Sequence, residues 1–114
     1  MNTNRKTEDY TKDMLQVIEN IEDFTKGMDF EGFFNDIKTT MAVVRCLEIL
    51  GEAAKHIPQV IKNKNPHIPW KEINGLRNRI AHDYLKIDLQ VVWGIIRKEL
   101  PKIKPAIKKI SVIK

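Results

Sequence analysis

The chain has 114 residues, 42% hydrophobic and 31% charged, with a formal net charge of +5. That length fits one domain over residues 1–114, with a core that needs neither disulfides nor a structural metal. No apolar run approaches the roughly 18 residues that cross a bilayer. The start, Met1 to Lys6, is polar and carries no secretory pattern, and Cys46 has no second cysteine to pair with. Membrane-spanning and disulfide-built classes are therefore excluded, and a reduced, cytoplasmic setting is expected.

The periodicity is helical almost throughout. Tyr10, Met14, Val17, Ile21 and Phe24 recur at steps of four and three, the pattern of one buried helix face. Thr7 suits the N-cap and Gly27 the exit. Met28–Phe34 reads as a loop or a short turn of helix. A second long helix is expected from Asp36 to Ile57, ending before Pro58. Val43, Val44, Leu47, Leu50, Ala54 and Ile57 form its apolar stripe, with Arg45, Glu48, Glu52 and Lys55 opposite. Ala42, Cys46, Ile49 and Ala53 form a second strip of mostly small side chains, with Gly51 at the other margin of the main stripe. Small residues allow another helix to approach closely, so this helix is expected to be central.

A short helical patch, Gln59–Lys62, and a polar loop to His67 follow. Pro69 suits the first turn of a third helix containing Trp70 and Ile73. Asp88 suits the N-cap of a fourth helix with Val91, Val92, Ile95 and Ile96 inward. Leu100-Pro101 is expected to break or kink it, with Ile103, Ala106, Ile107 and Ile110 continuing into a fifth helix. No alternating strand pattern is visible. The expectation is all-α, an up-and-down bundle of four to five helices.

Charge is concentrated at one end. Between Arg97 and Lys114, seven basic residues face the single acid Glu99. Such a run favours polyanions by counterion release, or simply solvates an amphipathic helix. Trp70 and Trp93 lie in helical patterns and read as core. His56 and His67 have no cysteine or carboxylate at metal-ligand spacing, and no Gly-rich phosphate loop is present, so neither metal nor cofactor is expected.

The third helix carries the order R-x4-H-x-Y in Arg77, His82 and Tyr84. An arginine offers a planar fork of donors to phosphate oxygens, and a histidine titrates near neutrality. Together they suit metal-independent RNA cleavage. The imidazole takes the ribose 2′-hydroxyl proton or protonates the leaving 5′-oxygen, and the guanidinium stabilises the charge on the phosphorane. The spacing alone is a weak signal, more often met where an arginine makes a helix-to-helix salt bridge and a histidine merely ends a helix. On a regular helix Arg77 and His82 are also roughly 140° apart and about 7.5 Å apart along the axis. Convergence then needs a helix end near His82 or a second copy of the motif.

The run Ile68-Pro-Trp-Lys-Glu-Ile-Asn-Gly-Leu-Arg-Asn-Arg-Ile-Ala-His-Asp-Tyr, with Arg45-Cys-Leu-Glu-Ile-Leu-Gly-Glu-Ala-Ala-Lys upstream, resembles the HepT-type toxins of the HEPN superfamily. The Phe33-x-x-Asp36 entry to the second helix and Ile87-Asp88, Val92-Trp93 and Leu100-Pro101 fit as well. The resemblance implies a helical homodimer and ribonuclease toxin of a type VII-like toxin–antitoxin system, its R-x4-H motifs meeting in an interfacial cleft. By that resemblance Arg77 and His82 are catalytic and Asn78 supports them. It also implies a nucleotidyltransferase (MNT-type) antitoxin that transfers AMP to Tyr84. Modification requires an accessible hydroxyl, so the helix is expected to end near His82–Asp83 with Tyr84 on a loop. The alternative is a non-catalytic helical partner, a substrate-binding module of a nucleotidyltransferase.

Overall fold

The computed structural model describes the backbone of residues 6–83 and 86–112, with side chains except at 82, 83, 86, 111 and 112. Helix α1 spans Thr7–Thr25. Its cap is Lys6, one residue before the expected Thr7, and the Lys6 N–H donates to Asp9 Oδ2 at 3.0 Å. Gly27, at φ 77°, turns the chain out, in backbone space that a side chain would strain. The inward stripe is Met14, Ile18, Ile21 and Thr25. Phe24, expected inside, lies one residue off that stripe and is 44% exposed. Thr25 takes the buried place by donating its hydroxyl to the Ile21 carbonyl at 2.8 Å.

The Met28–Phe34 stretch contains a short helix, α2 (Phe30–Phe34), capped by Asp29, whose carboxylate accepts from the Gly32 N–H at 2.8 Å. Helix α3 (Ile37–Lys55) follows with Asp36 as cap and ends before Pro58, as expected. Hydrogen bonds from Thr39, first from its backbone N–H, hold the Asp36 carboxyl below its ordinary range. Val43, Leu47, Leu50 and Ala54 are fully buried against α1. Burial of a leucine or isoleucine contributes about 1.5–3 kcal/mol each, so this seam is a main source of stability. The small-residue prediction also holds: a Cβ on Gly51 would stand 3.0 Å from the Ile73 carbonyl oxygen, so α3 lies almost backbone to backbone against the next layer. Cys46 is buried, and desolvation pushes its thiol above the ordinary range, away from the reactive thiolate.

After α4 (Gln59–Lys64) the structure departs from the expected single third helix. Two short helices, α5 (Trp70–Asn74) and α6 (Leu76–Ile80), meet at Gly75, whose φ of −91° and ψ of 9° end the first and start the second. Ile73, Leu76 and Ile80 are still buried. A second departure follows directly. β1 (Ala81–Asp83) and β2 (Lys86–Ile87) pair antiparallel, a small ribbon in an otherwise all-α bundle. The Asp88 N–H donates to the Ile80 carbonyl at 2.7 Å and closes its base.

Asp88 caps α7 (Leu89–Gly94), accepting from the N–H groups of Gln90 and Val91. At Leu100-Pro101, where a break or kink is expected, the helix is not broken. A π-helical turn over Ile95–Glu99 carries α7 into α8 (Leu100–Val112), and the Leu100 N–H reaches back to the Ile95 carbonyl. Two causes converge here. The wider turn suits a proline, which lacks an N–H and crowds the carbonyl four residues earlier. It also absorbs the excess left by the buried residues Val92, Ile96 and Leu100, spaced by four where an α-helix turns in about 3.6.

Helix α8 packs on α1, and Lys104 reaches Glu22 at 2.8 Å. Trp93 is held between Phe33, at 5.1 Å between ring centroids, and the Arg97 guanidinium, at 5.0 Å. Trp70 is buried with its indole N–H on the Asn65 carbonyl at 3.0 Å. Trp70 belongs to the core, as expected, and Trp93 is half-buried against it. Among the described residues no helix is long and apolar enough to cross a membrane.

Candidate functional site

Helix α6 is a single turn, and its orientation follows from two residues. Leu76 and Ile80 point into the core, so Arg77 and Asn78 between them point out and are exposed. Arg79 is treated differently. Its guanidinium holds the Glu99 carboxylate through two hydrogen bonds of 2.9 and 2.6 Å, a bidentate pair that ties α6 to the π-helical turn. Those bonds raise the pKa of Arg79 and lower that of Glu99, against a smaller opposing effect of burial in each case. Two arginines two residues apart are thus sorted: Arg79 is consumed by the fold, and Arg77 has no acidic partner among the described residues.

The helix ends at Ile80, two residues before the expected end, and His82 sits in β1. The regular-helix separation of Arg77 and His82 therefore does not apply. The ribbon register adds a detail. Ala81 pairs with Ile87 and Asp83 with Lys86, so His82 is the extra residue of an irregular register. Such bulges break the alternation of a strand and bend its backbone. Tyr84 lies outside the described residues.

Arg77 lines a cleft of about 500 Å³ between α1, α3 and α5–α6. The α3 wall supplies Arg45, Glu48, Glu52, Lys55 and His56, and α1 supplies Tyr10 and Asp13. On this wall charge is largely compensated: Arg45 pairs with Glu48 at 3.4 Å and Lys55 with Glu52 at 3.8 Å. Glu48 and Glu52, on the polar face of α3, line the same cleft as Arg77, with Glu52 still exposed to solvent. Asn74 lines the same cleft, and its buried Oδ1 accepts no hydrogen bond among the described residues. The rings of Tyr10 and His56 lie parallel at 4.6 Å between centroids and 9° between planes. Heptad reading assigned Tyr10 to the core and gave His56 no role; no sequence pattern links residues so far apart.

The basic end is partly spent on the fold. Lys104 is engaged by Glu22 and Arg97 by Trp93, whereas Lys98, Lys102 and Lys109 are exposed. Among the described residues no three His, Cys, Asp or Glu side chains gather as a metal would require.

The chain is similar to known proteins over most of its length. It is 41% identical over 106 residues to "Probable ribonuclease HepT" of Thermococcus cleftensis, covering 93% of this chain and 96% of that protein. It is 45% identical over 98 residues to a "Putative RNase" of Methanocaldococcus jannaschii, covering 86% and 84% of the two chains. A further "Putative RNase", of Caldanaerobacter subterraneus subsp. tengcongensis, is 39% identical over 101 residues, covering 89% and 90%. No solved structure matches. The family model described as "Ribonuclease HepT-like" matches residues 14–110, and the chain belongs to that HepT-like ribonuclease family.

Proposed function

We propose that this chain is a metal-independent endoribonuclease, with Arg77 stabilising charge on the phosphate and His82 acting as general acid or base. One observation carries the reading: Arg77 is exposed in a cleft and free of described acidic partners, while its neighbour Arg79 is locked to Glu99. An arginine kept open in this way meets a phosphate without first losing an ion pair. The register irregularity at His82 and the exposed Asn78 beside Arg77 support the same site. So do the family membership and the names of the relatives.

The finer parts of the proposal follow from the family. The working unit is a homodimer, and its second copy completes the R-x4-H site. The protein acts in the cytoplasm as the toxin of a toxin–antitoxin pair, and an MNT-type nucleotidyltransferase silences it by transferring AMP to Tyr84. A phosphate-bearing group there repels RNA phosphates from the cleft. In the non-catalytic reading, the same surface binds substrate for a nucleotidyltransferase.

Incubating RNA with purified chain in EDTA separates the two. Cleavage that persists in EDTA and is lost in Arg77→Ala and His82→Ala supports the nuclease. RNA left intact by the dimeric, unmodified chain overturns it. Intact mass after co-expression with the adjacent nucleotidyltransferase tests the switch: additions of one AMP or several are expected, absent in Tyr84→Phe.

A further inference from the structure

Parallel aromatic rings are common inside cores, where both faces are covered. The Tyr10–His56 pair is placed otherwise. Tyr10 is half-buried on the second turn of α1, packed against the core, and His56 is exposed at the C-cap of α3. Pro58 keeps α3 from continuing, so His56 is fixed at the helix end, and the Tyr10 ring backs its imidazole at 4.6 Å. The pair shares one cleft with Arg77. The two tryptophans are not available in this way, one buried with its N–H satisfied and the other covered by Arg97.

We propose that the Tyr10–His56 stack is a base platform, on which one base of a single-stranded RNA lies while a neighbouring phosphate meets Arg77. The inference rests on the ribonuclease reading and extends it to how substrate is held. Single-stranded RNA is gripped by two kinds of contact: cations along the backbone and flat rings under splayed bases. This cleft supplies one of each, the Arg77 guanidinium and the ring of His56, beside a wall whose Arg45 and Lys55 are paired with Glu48 and Glu52. Its volume of about 500 Å³ falls in the range of small-ligand sites. A platform tolerates any base, since every base has a π-face, so His56 governs affinity for single strands and not sequence choice. Base-paired RNA, with its bases already stacked, gains nothing from it.

The test is binding of a short fluorescein-labelled single-stranded RNA to the full chain carrying His82→Ala, which keeps the probe intact. On that background His56→Ala is expected to weaken binding about tenfold or more, the usual size of one lost base stack. His56→Phe, which restores a flat ring without a charge, is expected to bind within about threefold of the parent. His56→Leu, of similar bulk but no π-face, behaves as the alanine variant. Equal binding by parent and His56→Ala overturns the platform. So does a phenylalanine variant as weak as alanine, which assigns His56 to charge or hydrogen bonding, and so does a parent that binds no RNA. The two proposals fail separately. A chain that cleaves RNA with KM unmoved by His56→Ala loses the platform alone, and one that binds through His56 without cutting loses the nuclease alone.

Discussion

Arg77 and Arg79 differ by two positions and by everything that surrounds them. Removing Arg77 takes away an exposed guanidinium, so Arg77→Ala is expected to lower RNA cleavage by about 10²–10³-fold while leaving the melting temperature within a degree or so. Removing Arg79 strands the Glu99 carboxylate. Both side chains of that pair are about one-third exposed, so solvent screens it, and Arg79→Ala is expected to cost about 1 kcal/mol. A thermal melt beside a cleavage assay checks the crossover; an Arg77→Ala variant that melts early and an Arg79→Ala variant that only loses activity would reverse the assignment. The pair also makes stability pH-dependent. Hydrogen bonds from Arg79 hold the Glu99 carboxyl below its ordinary 4.5, so the folded state resists its protonation more than the unfolded chain does. The stabilisation is complete above that ordinary value and disappears as pH falls through the lowered one. Urea midpoints of the parent and Glu99→Gln are therefore expected to differ near neutrality and to converge as the medium is made acid.

At the scale of elements, the motif is positioned by its joints. Asp88 closes the ribbon with its N–H and caps α7 with its carboxylate. Asp88→Ala keeps that N–H but removes the cap, and it is expected to cost about 1 kcal/mol and to slow cleavage only as far as fraying of α7 loosens the base of the ribbon. Urea denaturation with a cleavage assay reads both, and a variant that loses stability alone would detach the α7 cap from catalysis. Gly51→Ala places a methyl 3.0 Å from the Ile73 carbonyl oxygen and is expected to cost about 1–3 kcal/mol by prising α5 from α3. The long helices were legible because burial imposes a period on many residues at once, and Asp36, Gly27 and Asp88 mark boundaries by local chemistry. The break at Gly75 was not legible, since Leu76 and Ile80 keep the apolar stripe whether or not the helix is interrupted. Strands of three and two residues are too short to show alternation, so His82 read as helical. Proline at 101 signalled a break, but a π-helical turn satisfied the same steric demand without one.

On the whole molecule, the surface beside the motif is unusually apolar for one facing water. Phe34, Ile37 and Met41 are 55%, 70% and 69% exposed, and Ile87 on β2 is 40% exposed. Ile37 and Met41 stand one turn apart on α3, and Phe34 and Ile87 line one groove between α2 and the ribbon. Single exposed apolar residues are ordinary, but two such pairs, one on α3 and one between α2 and the ribbon, are costly to leave wet and make a candidate contact surface. A second copy seated there would lie against the strand paired with the one that carries His82. In the proposed homodimer, burial of the patch and assembly of the two motifs would then be one event. The double variant Ile37→Asp, Met41→Asp tests it, because both side chains point to solvent and their loss leaves the core of the protomer intact. Sedimentation is expected to show a dimer for the parent and a folded monomer for the double variant, and RNA cleavage is expected to fall at least as far as in His82→Ala. A double variant that remains dimeric would move the interface elsewhere. One that is monomeric and still cleaves RNA at the parental rate would place the whole reaction within a single chain, with Arg77 and His82 brought together by the ribbon alone.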